Sequence, residues 1–197
     1  MRRRTLLVAP LALMAFVAAG GRARAREVKE VVLGREEAPV TVIEYFSLTC
    51  PHCATFHRET LPVIREKYID TGRVKWVLRD FPLDRYALVA AVLAHCAGPD
   101  RYPAFVETFL ETQSRWARSP DPVTALRTLA KLGGLSDEEM DACLADEAMV
   151  DGVLRMRLEG ERTWGVDSTP TFILGDRRHS GAIPPEEFEK LLQPLLD

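Results

Sequence analysis

The sequence of 197 residues has few of the residues that metal sites and basic interaction surfaces need. It contains four histidines and four cysteines, and no second C-x-x-C or H-x-x-x-H follows the pair Cys50 and Cys53, so a structural zinc site lacks its remaining ligands. Basic residues do not outnumber acidic ones (26 against 29), and a net charge of −3 is no electrostatic footprint for nucleic acid. We therefore expect no metal, no organic cofactor and no nucleic-acid partner.

The sequence also lacks an apolar run long enough to span a membrane. Its longest uncharged, mostly apolar run covers residues 6–19, about 14 residues, whereas a spanning helix needs about 20. Arginines at positions 2–4 precede this run, and Ala23-Arg24-Ala25 follows it with small residues where a signal peptidase reads. This pattern predicts a signal peptide over residues 1–25 and hence export, with a membrane anchor as the alternative. Cleavage would leave 21 basic and 29 acidic residues, a net charge of −8.

What the sequence does have is enough apolar material, 47%, for a sizeable core. Residues 40–46 (VTVIEYF) have the β-branched and aromatic composition of a buried strand. A block of roughly 80 residues, about 83–163, instead places apolar residues at helical spacing. Strands are predicted over residues 28–33, 40–46, 74–78, 171–174 and 178–180, and helices over residues 54–69 (kinked at Pro62) and from residue 184 to about 195. This order predicts an α/β fold with a helical subdomain inserted between two halves.

The motif Cys50-Pro51-His52-Cys53 lies between a predicted buried strand and the start of a helix. A cysteine at a helix N-terminus is stabilised as the thiolate, which is the reactive form. Pro51 suits the first helical turn, where a missing N–H has no cost. A donating imidazole at His52 would stabilise the thiolate further and so make the disulfide more oxidising. The spacing thus indicates a redox pair, with a zinc half-site or a structural disulfide as the alternatives.

Two segments together resemble the DsbA family of periplasmic disulfide oxidoreductases. Residues 44–53 (EYFSLTCPHC) resemble the active-site segment of that family, and residues 165–172 (GVDSTPTF) resemble its cis-proline loop. The resemblance extends over nearly the whole chain after residue 25. It implies a thioredoxin-like fold built from residues 26–82 and 164–197, with an inserted helical subdomain over residues 83–163.

The family resemblance also assigns roles to single residues. It implies that Pro170 is cis and lies against Cys50, and that Thr169 offers backbone groups to an extended substrate; an ordinary trans proline is the alternative. It implies that Glu44, an acid in an otherwise apolar strand, lies under the active site and helps to move the proton of Cys53. A solvated, edge-facing Glu44 is the alternative.

Cys96 and Cys143 both fall in the predicted helical block. Certain DsbA-like proteins carry a second, non-catalytic bridge, and this pair resembles theirs. Such a disulfide would stabilise the fold by about 4 kcal/mol through the entropy of the closed loop. Two buried free thiols, or a bridge that tunes the active site, are the alternatives. For His57, four residues after Cys53, we expect a solvated position rather than a functional one.

These observations predict an enzyme, a thiol-disulfide oxidoreductase of the periplasm that introduces disulfides into client proteins through Cys50 and Cys53. By resemblance, its partners are reduced exported proteins and a membrane-bound protein that reoxidises the pair. A disulfide isomerase or reductase stays open, because isomerases of the broader family also carry Thr before the proline. Those isomerases add a long N-terminal dimerisation region, whereas only 14 residues lie between Ala25 and Val40, so we expect a monomer. A non-catalytic binding or holdase module is the third hypothesis.

Overall fold

The computed structural model describes residues 28–196, which form a five-stranded sheet and a set of helices packed against it. The predicted signal peptide over residues 1–25 lies outside the described residues. In the sheet the strand order is β1-β3-β2-β4-β5; β2 and β3 are parallel, and the other neighbours are antiparallel. The strands are β1 (Val31–Leu33), β2 (Val40–Phe46), β3 (Val74–Asp80), β4 (Thr171–Leu174) and β5 (Arg177–Ser180). The predicted α/β class is confirmed.

The central strand β2 has the bounds that its composition predicts. It lies between β3 and β4, where both edges are hydrogen-bonded, and this explains its nearly continuous apolar sequence. β3 continues two residues past the predicted end at Leu78, because Arg79 and Asp80 stay in register with Tyr45 and Phe46 of β2. β1 is shorter than predicted.

The crossover between β2 and β3 is helical but not a single helix. It consists of α1 (Pro51–Glu59), α2 (Leu61–Ile64) and a π-helical turn (Arg65–Ile69). The helix starts at Pro51 instead of Ala54, and the break falls at Thr60, just before Leu61-Pro62, because a proline has no N–H to donate to the preceding turn. This crossover places the N-terminus of α1 at the carboxyl end of β2.

Six helices lie between β3 and β4 in the chain: α3 (Arg85–Cys96), α4 (Tyr102–Glu111), α5 (Gln113–Trp116), α6 (Pro122–Leu132), α7 (Asp137–Leu144) and α8 (Glu147–Trp164). α3 is the central one, with seven of its 12 residues buried. A capping box begins α7, since the Ser136 hydroxyl accepts from the Glu139 N–H and the Glu139 carboxylate accepts from the Ser136 N–H. The Cys96–Cys143 disulfide joins the end of α3 to α7 with a Cα–Cα distance of 5.9 Å.

The two faces of the sheet carry different aromatic clusters. On one face Phe56 of α1 packs with its ring centroid 4.5 Å from Phe172 and 5.9 Å from Trp76, and the final helix, α9 (Pro185–Leu196), adds Phe188. On the other face Tyr45 packs against α8 at Gly160, where a Cβ atom would lie 2.7 Å from the tyrosine ring. Gly160 therefore allows α8 to approach the sheet closely. Among residues 28–196, none of the helices combines the length and apolar character needed to cross a membrane.

Candidate active site

Cys50 is the N-cap residue of α1, and Pro51 occupies the first helical turn. The Cys50 N–H donates to the Ser47 carbonyl (3.0 Å), which forms a tight turn between β2 and the helix. The Cys50 carbonyl accepts from the N–H groups of Cys53 (3.1 Å) and Ala54 (3.2 Å) and so starts the helix. The Cys50 sulfur therefore lies beside the unpaired N–H groups and the positive end of the helix dipole.

The two cysteines are free thiols with opposite acid strengths. A hydrogen bond from the Cys53 thiol lowers the pKa of Cys50 to about 5, with further contributions from the Thr169 side chain and the backbone N–H groups of Cys53 and His52, against the opposing effect of burial. Burial raises the pKa of Cys53 well above its usual value, and the neighbouring Cys50 sulfur and the Glu44 charge add to this. At neutral pH Cys50 is a thiolate and Cys53 a thiol.

The predicted spacer residues lie beside the reactive sulfur. Pro51 and His52 are both exposed, so they border the surface that an incoming thiol would meet. The His52 backbone N–H is one of the groups that stabilise the Cys50 thiolate. The stabilising contact is thus made by the main chain of His52, whereas the sequence had suggested its imidazole.

A cis peptide bond joins Thr169 to Pro170, at the start of β4. The Thr169 carbonyl lies 3.2 Å from the Cys50 sulfur and accepts its S–H when Cys50 is protonated. The Thr169 hydroxyl is buried with no partner elsewhere in the described structure, so the Cys50 thiolate is the group to which it can donate. The Pro170 carbonyl accepts from the Gly181 N–H (2.8 Å), which fixes the loop to the end of β5. The cis form that the resemblance implies for Pro170 is confirmed, and the trans alternative is wrong.

Glu44 is fully buried on β2, so the solvated alternative for this residue is also wrong. Its Oε2 accepts from the Trp76 indole N–H (3.0 Å), and its Oε1 lies 3.0 Å from Nε2 of His57. The solvated position expected for His57 is wrong as well, because only 5% of its side chain is exposed. The sequence could not reveal this contact, since the helical pattern of α1 does not show which of its faces meets the Glu44 carboxylate.

Gln113 is a site residue that the sequence did not indicate. This buried side chain on α5 donates from Nε2 to the carbonyls of Leu48 (2.8 Å) and Cys50 (3.0 Å). Beside it, the Thr49 hydroxyl donates to the carboxylate of Asp84 (2.6 Å), the N-cap residue of α3. The inserted helices thus hold the loop that carries Cys50. No local pattern points to Gln113, because its partners are 63 and 65 residues away in the chain.

A second buried histidine–carboxylate pair lies in the first part of the insert. Nε2 of His95 lies 2.7 Å from Oδ2 of Asp80, and the Tyr102 hydroxyl donates to the same oxygen (2.7 Å). Burial, with the Asp80 charge, raises the pKa of Tyr102 well above its usual value, so it remains a hydroxyl. This network joins the end of β3 to α3 and α4. Within residues 28–196 no group of three or more His, Cys, Asp or Glu side chains could hold a metal ion.

Known proteins share both the sequence and the fold. The family model described as thioredoxin matches residues 26–194. The crystal structure of alpha-DsbA1 from Wolbachia pipientis is 31% identical, with a TM-score of 0.79 over 85% of this chain and 91% of that one. BdbD of Bacillus subtilis, at 24% identity, shares the fold with a TM-score of 0.75 over 85% of this chain and 92% of that one.

A curated relative from Rickettsia typhi, whose name contains the term protein-disulfide oxidoreductase, is 37% identical over 126 residues, which make up 64% of this chain and 47% of the relative. The chain therefore spans about half the length of the curated relatives of this kind that it matches.

Proposed function

Because the chain belongs to the DsbA group of the thioredoxin family, we propose that it is an exported thiol-disulfide oxidoreductase that introduces disulfides into client proteins through Cys50 and Cys53. The observation that carries this proposal is the difference between the two sulfurs. Cys50, with its pKa lowered to about 5, is stable as a thiolate, whereas Cys53 is buried and stays protonated. Stabilising the reduced pair makes the corresponding disulfide a stronger oxidant.

In the proposed reaction a client thiolate attacks the Cys50 sulfur of the oxidised pair. A client–Cys50 disulfide forms, the Cys50–Cys53 bond breaks, and the electron pair goes to the Cys53 sulfur, which takes up a proton. A second client thiolate then attacks the client sulfur of the mixed disulfide and releases Cys50 as a thiolate. The client loses two electrons, and the pair gains them.

The residues around the sulfurs fit this reaction. The low pKa makes Cys50 a good leaving group in the second step. The Thr169 carbonyl lies 3.2 Å from the Cys50 sulfur, next to the cis bond to Pro170, and main-chain groups of this loop would align an extended client. The charge of Glu44 contributes to the raised pKa of Cys53, which supports the role proposed for this carboxylate in moving the Cys53 proton. Reduced client proteins and a membrane-bound reoxidising partner complete the proposal, and the periplasm is the proposed location of the chain itself.

The test is the equilibrium reduction potential of Cys50/Cys53 against glutathione, with Cys96 and Cys143 followed separately. A potential well above the glutathione couple supports a donor of disulfides. A potential near that of thioredoxin, about −270 mV, would instead assign the chain to the reductases. Full function of a Cys50→Ala variant in cells would favour the non-catalytic holdase.

The isomerase alternative needs a separate assay. An isomerase would rearrange a scrambled protein substrate faster than it oxidises a reduced one, and the low pKa of Cys50 predicts the opposite order of rates. If the chain is an oxidase, the thiols of the reduced substrate are therefore consumed while the wrong disulfides of the scrambled substrate persist.

A further inference from the structure

The buried carboxyl group of Glu44 has one contact that can pass on a proton. Its Oε2 accepts from the Trp76 indole, which is a donor only and does not ionise. Its Oε1 meets Nε2 of His57 at 3.0 Å, and an imidazole both gives and accepts protons. Proton exchange between Glu44 and its surroundings through these two contacts must therefore go by way of His57.

The other ring nitrogen of His57 faces a different environment. Nδ1 is buried and has no hydrogen-bond partner in the described structure. The ring packs between Phe46 and Phe56, with centroid distances of 5.7 and 6.1 Å, and neither can accept or donate such a bond. A buried ring nitrogen needs a partner, which is often an ordered water.

The His57 side chain also lines a groove, which is the proposed source of that water. It has a volume of about 420 Å³, far more than one water needs, and His57 lines it together with Ala54, Leu61 and Leu110. Its lining includes none of Cys50, Cys53 and Thr169. The charged groups that face this groove are Arg58, Arg65, Glu66, Asp70, Glu107 and Glu111. Of these, Arg65 pairs with Glu107 across the groove (2.9 Å).

We propose that His57 relays the proton of the Cys53 sulfur between Glu44 and water in this groove. The inference rests on the proposed exchange reaction and on the role of Glu44 beside Cys53. His57 acts through Glu44 and touches neither reacting sulfur, so it is a positioning residue for proton transfer. Because the groove is lined by other residues than the client-facing loop, the relay stays open while a client is bonded to Cys50.

The two halves of the reaction cycle return the histidine to its starting form. When the Cys50–Cys53 bond breaks, Nε2 of His57 gives its proton to the Glu44 carboxylate, Glu44 passes it on to the Cys53 thiolate, and Nδ1 takes one from groove water. When the pair is reoxidised, the Cys53 proton returns to Glu44, Nε2 takes a proton from Glu44, and Nδ1 releases one to water. Each half of the cycle moves one proton. Reduction of the pair shifts the His57 proton from Nε2 to Nδ1, and reoxidation shifts it back to Nε2.

The experiment measures the rate at which dithiothreitol reduces the oxidised protein, followed by tryptophan fluorescence at pH 7. His57→Gln keeps an N–H for Glu44 but carries no proton, and we expect its rate to fall about tenfold or more, in the range of general acid–base effects. His57→Ala should be equally slow, and added imidazole, which fits the space opened beside the groove, should restore its rate. The matched control is His95→Gln, which removes an equally buried histidine–carboxylate contact away from the groove and should react at the wild-type rate.

Two results would overturn the relay: a wild-type rate in His57→Gln, or a slow His57→Ala that imidazole accelerates no more than it accelerates the wild type. Circular dichroism checks folding, and the isosteric His57→Asn replaces any variant that does not fold. Failure of the proposed function looks different, because the wild-type protein itself would then fail to oxidise a reduced client.

Discussion

The ionisation of Cys50 should make the stability of the reduced protein depend on pH. The pKa of this thiol is about 5 in the folded protein and 9.0 without the fold. Below pH 5 both states bind the proton, and between pH 5 and pH 9 only the unfolded state does. The free energy of unfolding therefore rises with pH by about 1.4 kcal/mol per unit across this window. The contribution is lost as the pH falls through the folded pKa.

At pH 7 the contribution spans two of these pH units and amounts to about 3 kcal/mol. The disulfide form has no thiolate and does not gain it. The same free energy, divided over two electrons, makes the pair more oxidising by about 60 mV than a pair with ordinary thiols. The low pKa of Cys50 alone therefore raises the reduction potential of the pair towards the values expected for a disulfide donor.

The assay is urea unfolding of the reduced protein at pH 4 and pH 7, with Cys50→Ser as the matched variant that cannot ionise in this range. Wild type should lose about 3 kcal/mol more than the variant between the two pH values. Any loss of the Cys96–Cys143 bond in reductant affects both proteins and cancels. Thiolate absorbance at 240 nm should titrate near pH 5. A midpoint above pH 8, or equal pH dependence in both proteins, would refute the reasoning.

Three further predictions concern the groups around the pair and the insert. Cys53→Ala removes the largest contribution to the low pKa of Cys50, so the 240 nm titration should shift to higher pH, and Cys53→Ser, which keeps a donor, should shift less. Gln113→Leu removes the donor to two buried carbonyls and should lower the free energy of urea unfolding by about 1–3 kcal/mol; a change within error would contradict the contact. The double variant Cys96→Ala and Cys143→Ala should unfold with about 4 kcal/mol less stability, since the bridge spans 47 residues.

The amino-acid composition of a segment is enough to predict the bounds of a strand when nearly all of its residues are buried. β2 and β4 have the predicted bounds because five of the seven residues of β2 and all four of β4 are buried, which gives both strands a mostly apolar sequence. β3 was predicted too short because Arg79 and Asp80 look like a turn in sequence. In the fold Arg79 pairs with Glu30 and Glu159, which compensates its charge within the strand. Glu30 and Glu159 are far from Arg79 in the chain, so the sequence around Arg79 does not reveal these ion pairs.

The same distinction applies to the candidate site. Cys50, Cys53 and the loop at Thr169-Pro170 are carried by short motifs, and so they could be named from the sequence. His57 and Gln113 could not, because what they do depends on which helix packs beside them. A lone histidine on a helix is usually solvated, and the sequence of α1 alone therefore predicts an exposed His57. His57 is buried instead because α1 covers the Glu44 carboxylate on β2.

The difference between the two sulfurs also decides the direction in which a mixed disulfide is resolved. A client bonded to Cys50 can be released by its own second thiol or by attack of Cys53. Cys53 is fully buried and protonated at pH 7, so it is a weak nucleophile, whereas Cys50 leaves readily as a thiolate. In the proposed reaction we therefore expect the second thiol of the client to resolve the mixed disulfide, so that the client is released with its disulfide formed. The burial that makes Cys53 slow to attack also requires a path for its proton when the pair is reoxidised, and the contact of Glu44 with His57 is where we place that path.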